Sequence, residues 1–277
     1  MTPGEIVPLS FGAGLVILSF LIAAYGAYVA LTAAAHIRAA VADGQSWLPY
    51  VGIAAVSLGG IGIWSMHFIG MQAQSMPFEA GYQVWLTLLS FLLAVLCSGA
   101  ALWYVARARF SVGRCIAAGV VAGLGIAAMH YVGIAAMRIP ALFQWSLPLI
   151  VLSVLIAVVA ATAALWLAFH VQTTWQRALA ATVMAVAVCG MHYTAAAAGA
   201  MVCTTPRGFT GLQIGGASLP YLVFGLSIAT LVLLRWQLHR SSLRFRQKLA
   251  RRVDALIGSN AAAVPVGDTS TGTLGRG

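Results

Sequence analysis

Charge is what this sequence lacks most. Of its 277 residues five are acidic and fifteen basic, and charged residues make up 7% of the chain. An ordinary soluble domain carries about 25%. With 61% hydrophobic residues and a mean hydropathy of +0.95, a water-soluble fold is excluded. Lysine is almost missing. Lys248, in the tail, is the only one, so no span carries the amine that a retinal Schiff base needs. Cysteine is sparse as well. Cys97, Cys115, Cys189 and Cys203 form no obvious outward-facing pair, and no structural disulfide is expected. The alternation of apolar and polar residues that marks strands is missing too. In lipid only helices and closed barrels satisfy the backbone, so the apolar runs read as helices.

Those runs are longer than the ~20 residues that cross a bilayer. Seven spans are expected, near 9–35, 47–73, 82–106, 112–137, 147–169, 175–201 and 219–238. The first is a poor signal peptide, because Glu5 is the only charge ahead of it and the run is too long for an h-region. The expected class is an all-α membrane protein. Residues 1–240 form the membrane domain, and 241–277 a basic juxtamembrane segment with a flexible end from Gly258.

The basic residues orient the chain. Arg38, Arg107, Arg109, Arg114 and Arg177 follow spans one, three and five, and eight more basic residues lie from Arg235 onward. Only Arg138 and Arg207 fall on the other side. The positive-inside rule then puts the C-terminus in the cytoplasm and the N-terminus outside, in a bacterial inner membrane. The net charge of +10 is this same bias and gives no reason to invoke nucleic acid. The stretch "RWQLHRSSLRFRQKLARR" suits the anionic lipid surface, at ~1 kcal/mol per basic residue, with docking of a partner as the second option.

Spans two, four and six share a pattern: "GGIGIWSMHFIGM", "AGLGIAAMHYVGIAAM" and "MAVAVCGMHYTAAAAGAM". Aligning His67, His130 and His192 puts Met66, Met129 and Met191 before them and Phe68, Tyr131 and Tyr193 after them. Three residues on stand Gly70, Gly133 and Ala195. The chain therefore reads as three tandem two-helix repeats plus one extra helix. Counted from the cytoplasmic ends at 1.5 Å per residue, the histidines lie about 26–30 Å deep, all near one outer level. Small residues around them let backbones approach.

An ionisable side chain inside a span is a functional candidate by default. Three neutral imidazoles at one level make an N₃ metal site with an open position, which suits zinc or copper. Thioethers favour Cu(I). Met71 and Met137 share a helix face with His67 and His130, and Met201 needs a helix break near Gly199 to approach His192. Met66, Met129 and Met191 are offset by ~100° from their histidines. Cys189 shares a face with His192 but reads first as packing. The competing reading for the whole layer is a histidine–tyrosine hydrogen-bond network.

At these residues the chain resembles the MHYT-domain family of bacterial integral membrane sensors, across residues 1–240. The resemblance implies copper held by the Met and His residues of the motif (Met66, His67, Met129, His130, Met191 and His192) and sensing of O₂, CO or NO. Only the third copy keeps the closing threonine, Thr194; Ile69 and Val132 replace it elsewhere. Many relatives carry cyclic-di-GMP domains. None is recognisable in these 277 residues, so the output is expected to pass to a separate partner.

The leading expectation is a copper-binding sensor for a diatomic gas or for copper itself. A zinc-dependent hydrolase is the alternative, with Glu79 as the one acidic candidate near the site. A copper or small-molecule transporter is the third, disfavoured because no ionisable residues continue through mid-membrane. His36 and His170 read as interface histidines and His239 as part of the basic face.

The orientation is directly testable. A reporter that is active only in the cytoplasm, fused after Arg252, is expected to be active, and a periplasm-dependent one silent. The reverse pattern would overturn the assignment.

Overall fold

The structure, a computed structural model, describes residues 2–78, 80–204, 213–215 and 219–263. It contains two compact units, Met1–Arg235 and Trp236–Gly277. In the first, α1 (Ala13–Ala42) is followed by α2 (Leu48–Ala55), a π-helical stretch Val56–Ser65 and α3 (Met66–Ala73). Next come β1 (Gly81–Gln83), α4 (Val84–Ala106), α5 (Val112–Ala135), β2 (Met137–Arg138) and β3 (Ala141–Trp145). Then α6 (Leu147–His170), α7 (Thr174–Ala197), β4 (Gly199–Cys203), β5 (Gln213–Gly215) and the first part of α8 (Leu219–Ala263), up to Arg235, complete it.

Among the described residues, six helices are long and apolar enough to cross a membrane: α1, the continuous Leu48–Ala73, α4, α5, α6 and α7. The expected seventh span forms the first part of α8. Local chemistry sets the helix starts. Proline opens α2 and α6, where its missing N–H costs nothing. Thr173 caps α7 in a box with Gln176.

Each span packs on the next, and α7 packs back on α1, so the six close into a ring. The outward faces of α4 and α6 are apolar, with Trp85, Leu96, Leu147 and Val159 all exposed. Such faces suit lipid. Between helices, glycine permits close approach: a Cβ on Gly123 would stand 2.5 Å from the Cα of Val158 on α6. At the basic end, Arg38 of α1 donates to the carbonyls of Ala168 and Val171. It thereby satisfies the carbonyls that α6 leaves open at its C-terminus. The first part of α8 joins span two through Ser227 Oγ donating to Ser65 Oγ at 2.9 Å.

The opposite end carries short strands that the sequence reading did not expect. β3 and β4 pair antiparallel, from Ala141 opposite Cys203 to Trp145 opposite Gly199. β1 lies between β2 and β5. These strands are only two to five residues long, too short for alternation to show in the sequence.

The strands change two expectations. Met137 and Met201 were placed at the ends of helical spans, yet α5 stops at Ala135 and α7 at Ala197. Both methionines sit in strands, because their backbones pair with β1 and β3. Gly199 lies within the break that the sequence required, under the rings of Phe143 and Trp145. The start of span one also shifts. Phe11 is extended and bridges Gln74, so α1 begins only at Ala13.

The second unit is the remainder of α8, in which Arg240 lies 4.3 Å over the Trp236 ring. Helix continues to Ala263, through the beginning of the stretch expected to be flexible. Its alanines have the best intrinsic helix propensity. Residues 264–277 lie outside the described residues.

Replacing Gly123 by valine should separate α5 from α6. A loss of about 1–3 kcal/mol is expected, as for overpacked cores, read as a lower melting temperature in detergent. An unchanged melting temperature would show the contact to be compressible.

Candidate metal centre

The histidine end of span two is built differently from those of α5 and α7. Val56–Ser65 is π-helical, and α-helix resumes at Met66, directly before His67. A π-helix closes its hydrogen bonds over five residues and so climbs less per residue. His67 stands 19 residues after its helix start at Leu48, against 18 for His130 after Val112 and 18 for His192 after Thr174, and this stretch takes up the excess.

All three imidazoles meet. His67, His130 and His192 are buried to 1%, 0% and 1% exposure. Their ring centroids are 4.6, 5.1 and 5.2 Å apart, with the rings edge to face. One ring nitrogen from each lies within 4.8 Å of the others. Nδ1 of His67 and Nδ1 of His192 are 3.1 Å apart and share one hydrogen bond. The other nitrogens, Nε2 of His67, Nε2 of His192 and both of His130, are buried without a hydrogen-bond partner. An unsatisfied buried polar group costs about 1–3 kcal/mol, and buried polar atoms are nearly always paired.

That pattern fits a metal. At M–N distances of about 2.0–2.1 Å, tetrahedral ligand nitrogens stand ~3.4 Å apart, a spacing the His67–His192 pair already approaches. A cation held between the facing rings would replace the hydrogen bond shared by Nδ1 of His67 and Nδ1 of His192 and would take one unpartnered nitrogen of His130, while Nε2 of His67 and of His192 stay against Gly133 and Gly70. The competing histidine–tyrosine network does not form, because the tyrosine hydroxyls turn elsewhere. Among the described residues, the cluster able to hold a metal contains these three histidines, with neither Cys189 nor a carboxylate. Glu79 lies outside the described residues.

The position three after each histidine now has a reason. A Cβ on Gly70 would collide with Nε2 of His192, and one on Gly133 with Nε2 of His67. Each glycine gives room to the imidazole of another repeat. In the third copy the residue is Ala195, and the remaining imidazole, His130, is the one with neither nitrogen bonded.

The aromatic after each histidine points outward to the following helix of the ring. Tyr131 and Ser153 on α6 are hydrogen-bonded at 2.8 Å, and Tyr193 and Ser19 on α1 at 3.0 Å. In the first copy Phe68 has no hydroxyl. There Trp64 donates its Nε1–H to Ser90 on α4 at 2.9 Å. Each serine also donates to the carbonyl three residues back. Sequence reasoning missed these three serines. Their signal was present: Ser90 and Ser153 are separated by the same 63 residues as His67 and His130.

The methionines divide. Met71 and Met201 are buried in an apolar cluster with Phe68, Tyr82 and Cys203, and Met137 and Met76 pack against its edge. This cluster brings together residues of α3, α5 and the strands, beside the motif's aromatics. Within it Tyr82 is fully buried and its phenol is pushed above its ordinary pKa by burial. Met66, Met129 and Met191 are buried as well.

Comparison with known proteins matches the repeat described as "Bacterial signalling protein N terminal repeat", MHYT, to residues 60–118 and 123–181. The two matches begin in phase with His67 and His130. The third copy, around His192, lies beyond them. The chain is 39% identical over 230 residues to the bifunctional diguanylate cyclase/cyclic di-GMP phosphodiesterase MucR of Pseudomonas aeruginosa, covering 81% of this chain and 33% of that protein. It is 36% identical over 205 residues to the cyclic di-GMP phosphodiesterase NbdA of the same organism, covering 72% and 25%. The signaling protein YkoW of Bacillus subtilis is 28% identical over 198 residues. The chain thus spans about a third or less of the curated relatives it matches. No solved structure matches it.

Tyr131→Phe and Tyr193→Phe should each lower stability by about 1 kcal/mol, the usual net worth of a hydrogen bond, without unfolding the protein. Melting curves in detergent identical to wild type for both would show these bonds to be energetically idle.

Proposed function

The chain belongs to the MHYT family of bacterial signalling proteins, and from that premise we propose that it is a membrane sensor whose three histidines hold copper. One observation carries the reading: three repeats bury imidazoles at a single point and leave four of their six ring nitrogens without partners. His67, His130 and His192 would be the ligands. Met71, Met137 and Met201 are the soft donors of the adjoining cluster, and thioethers favour Cu(I) over zinc. Copper held this way supplies an open coordination position suited to O₂, CO or NO.

The residues around the histidines suit a sensor because they tie ring position to helix position. Two imidazoles rest on the backbone of another repeat at Gly70 and Gly133. A ligand that turns a ring favours one helix arrangement over another, which is what transmission requires. Three serine contacts tie the helix of each histidine to the following helix of the ring. The change would reach the basic end, where Arg38 links α1 to α6. We place that end, with α8, in the cytoplasm of the bacterial cell. MucR and NbdA are named for making or degrading cyclic di-GMP, so the output would control that messenger, through an enzyme that α8 contacts.

Metal analysis of the purified protein is expected to find stoichiometric copper. Alanine at His67, His130 or His192, tested singly, should each remove most of it. Full retention by all three variants ends the three-histidine reading, and stoichiometric zinc in wild type would favour the hydrolase instead.

The methionines are tested separately. Changing Met71 and Met137 together to leucine keeps volume at a cost usually under ~1.5 kcal/mol. Cu(I) affinity should fall while Zn(II) affinity changes little. Equal Cu(I) affinity in the folded variant would assign both methionines to packing.

A further inference from the structure

Between the helices of the six-helix ring lies a partly open cavity of about 60 Å³. Its position relative to the histidines is fixed by helix geometry. Ile63, Ile126 and Val188 all line it, and each stands four residues before a motif histidine. One turn at 1.5 Å per residue places Ile126 and Val188 about 6 Å from the imidazole layer, and Ile63, in the π-helical stretch, nearer to it. They are on the side towards the basic end. Met191 lines the cavity too, which assigns this methionine to the space beneath the triad.

The chemistry of the walls selects the occupant. Alanines of α4, α5, α6 and α7 make much of the lining, where larger side chains would have closed the space. Ser98 is the only polar side chain in it, and its Oγ is buried with no hydrogen-bond partner. A water needs only about 10–15 Å³ but also two to four polar partners. One hydroxyl cannot hold the several waters that 60 Å³ would admit. Apolar cavities of about 150 Å³ stay dry and take up benzene or xenon. This one is too small for benzene and excludes any ion, since nothing in its wall could pair with a charge.

We propose that this cavity is a second ligand site, for a small uncharged apolar molecule of diatomic size, separate from the histidine centre and one helical turn from it. Its physiological occupant, a dissolved diatomic gas, rests on the sensor reading above; the capacity to bind a molecule of that kind does not. All six spans share the lining, so occupancy favours the ring packing that keeps the cavity open. A gas held here is also concentrated next to the triad without passing the strand end.

Xenon is the probe, applied under pressure to crystals of the full chain in both metal-loaded and metal-stripped form. One anomalous peak bounded by Ile126, Ala157, Ala161 and Met184 is expected in both. Ala161→Leu fills the space and should lose the peak while keeping its bound metal and melting temperature. Ala161→Val serves if the leucine variant does not fold. The proposal is overturned by an empty cavity in wild type, by ordered water or a lipid chain filling it, or by a peak that survives in the filled variant. Xenon bound in a protein that takes up no copper would leave this site standing and remove the sensor reading. Copper without xenon would do the reverse.

Discussion

Three fully buried imidazoles packed edge to face against one another are the constraint on which the rest of this bundle depends. A buried nitrogen without a partner costs about as much as a lost hydrogen bond, and the three rings carry four of them. The surrounding structure holds them there. Gly70 and Gly133 withhold a Cβ that would push two of the rings away. The π-helical stretch before Met66 brings His67 level with histidines that sit fewer residues into their spans.

Around this centre the three repeats solve the same problem with different atoms. The aromatic after the histidine turns its polar tip to a serine on the following helix, in α5 towards α6 and in α7 towards α1. In span two phenylalanine replaces tyrosine, and Trp64, one helical turn earlier, supplies the donor to Ser90. The serine is retained in every copy although its partner changes. What matters is therefore the tie between neighbouring helices rather than the phenol. Since α7 bonds to α1, the same tie closes the ring.

The two sides of the histidine layer differ in chemistry. Towards the strands lies a filled cluster of sulfur and aromatic side chains, including Met71, Met201 and Tyr82. Towards the basic end lies an alanine-walled space that is not filled. The histidine layer therefore has sulfur and aromatic side chains on one side and an alanine-walled cavity on the other.

Class, the approximate limits of the middle five spans, the triplication and the meeting of His67, His130 and His192 were all legible in the sequence. Each depends on periodicity and hydropathy, which are local properties of the chain. By contrast, α1 runs on to Ala42 and α8 to Ala263, beyond the ends expected at 35 and 238. The strands were not legible, because two to five residues are too few to show a period, and so Met137 and Met201 were read as helical. Ser19, Ser90 and Ser153 were visible but unremarkable, since a lone serine in an apolar span acquires meaning only when its partner across the helix interface is known. The cavity, and the use of glycine to seat an imidazole from another repeat, were decided by tertiary structure alone. Both are properties of the space between helices, and that space is set by which helix lies beside which and at what distance.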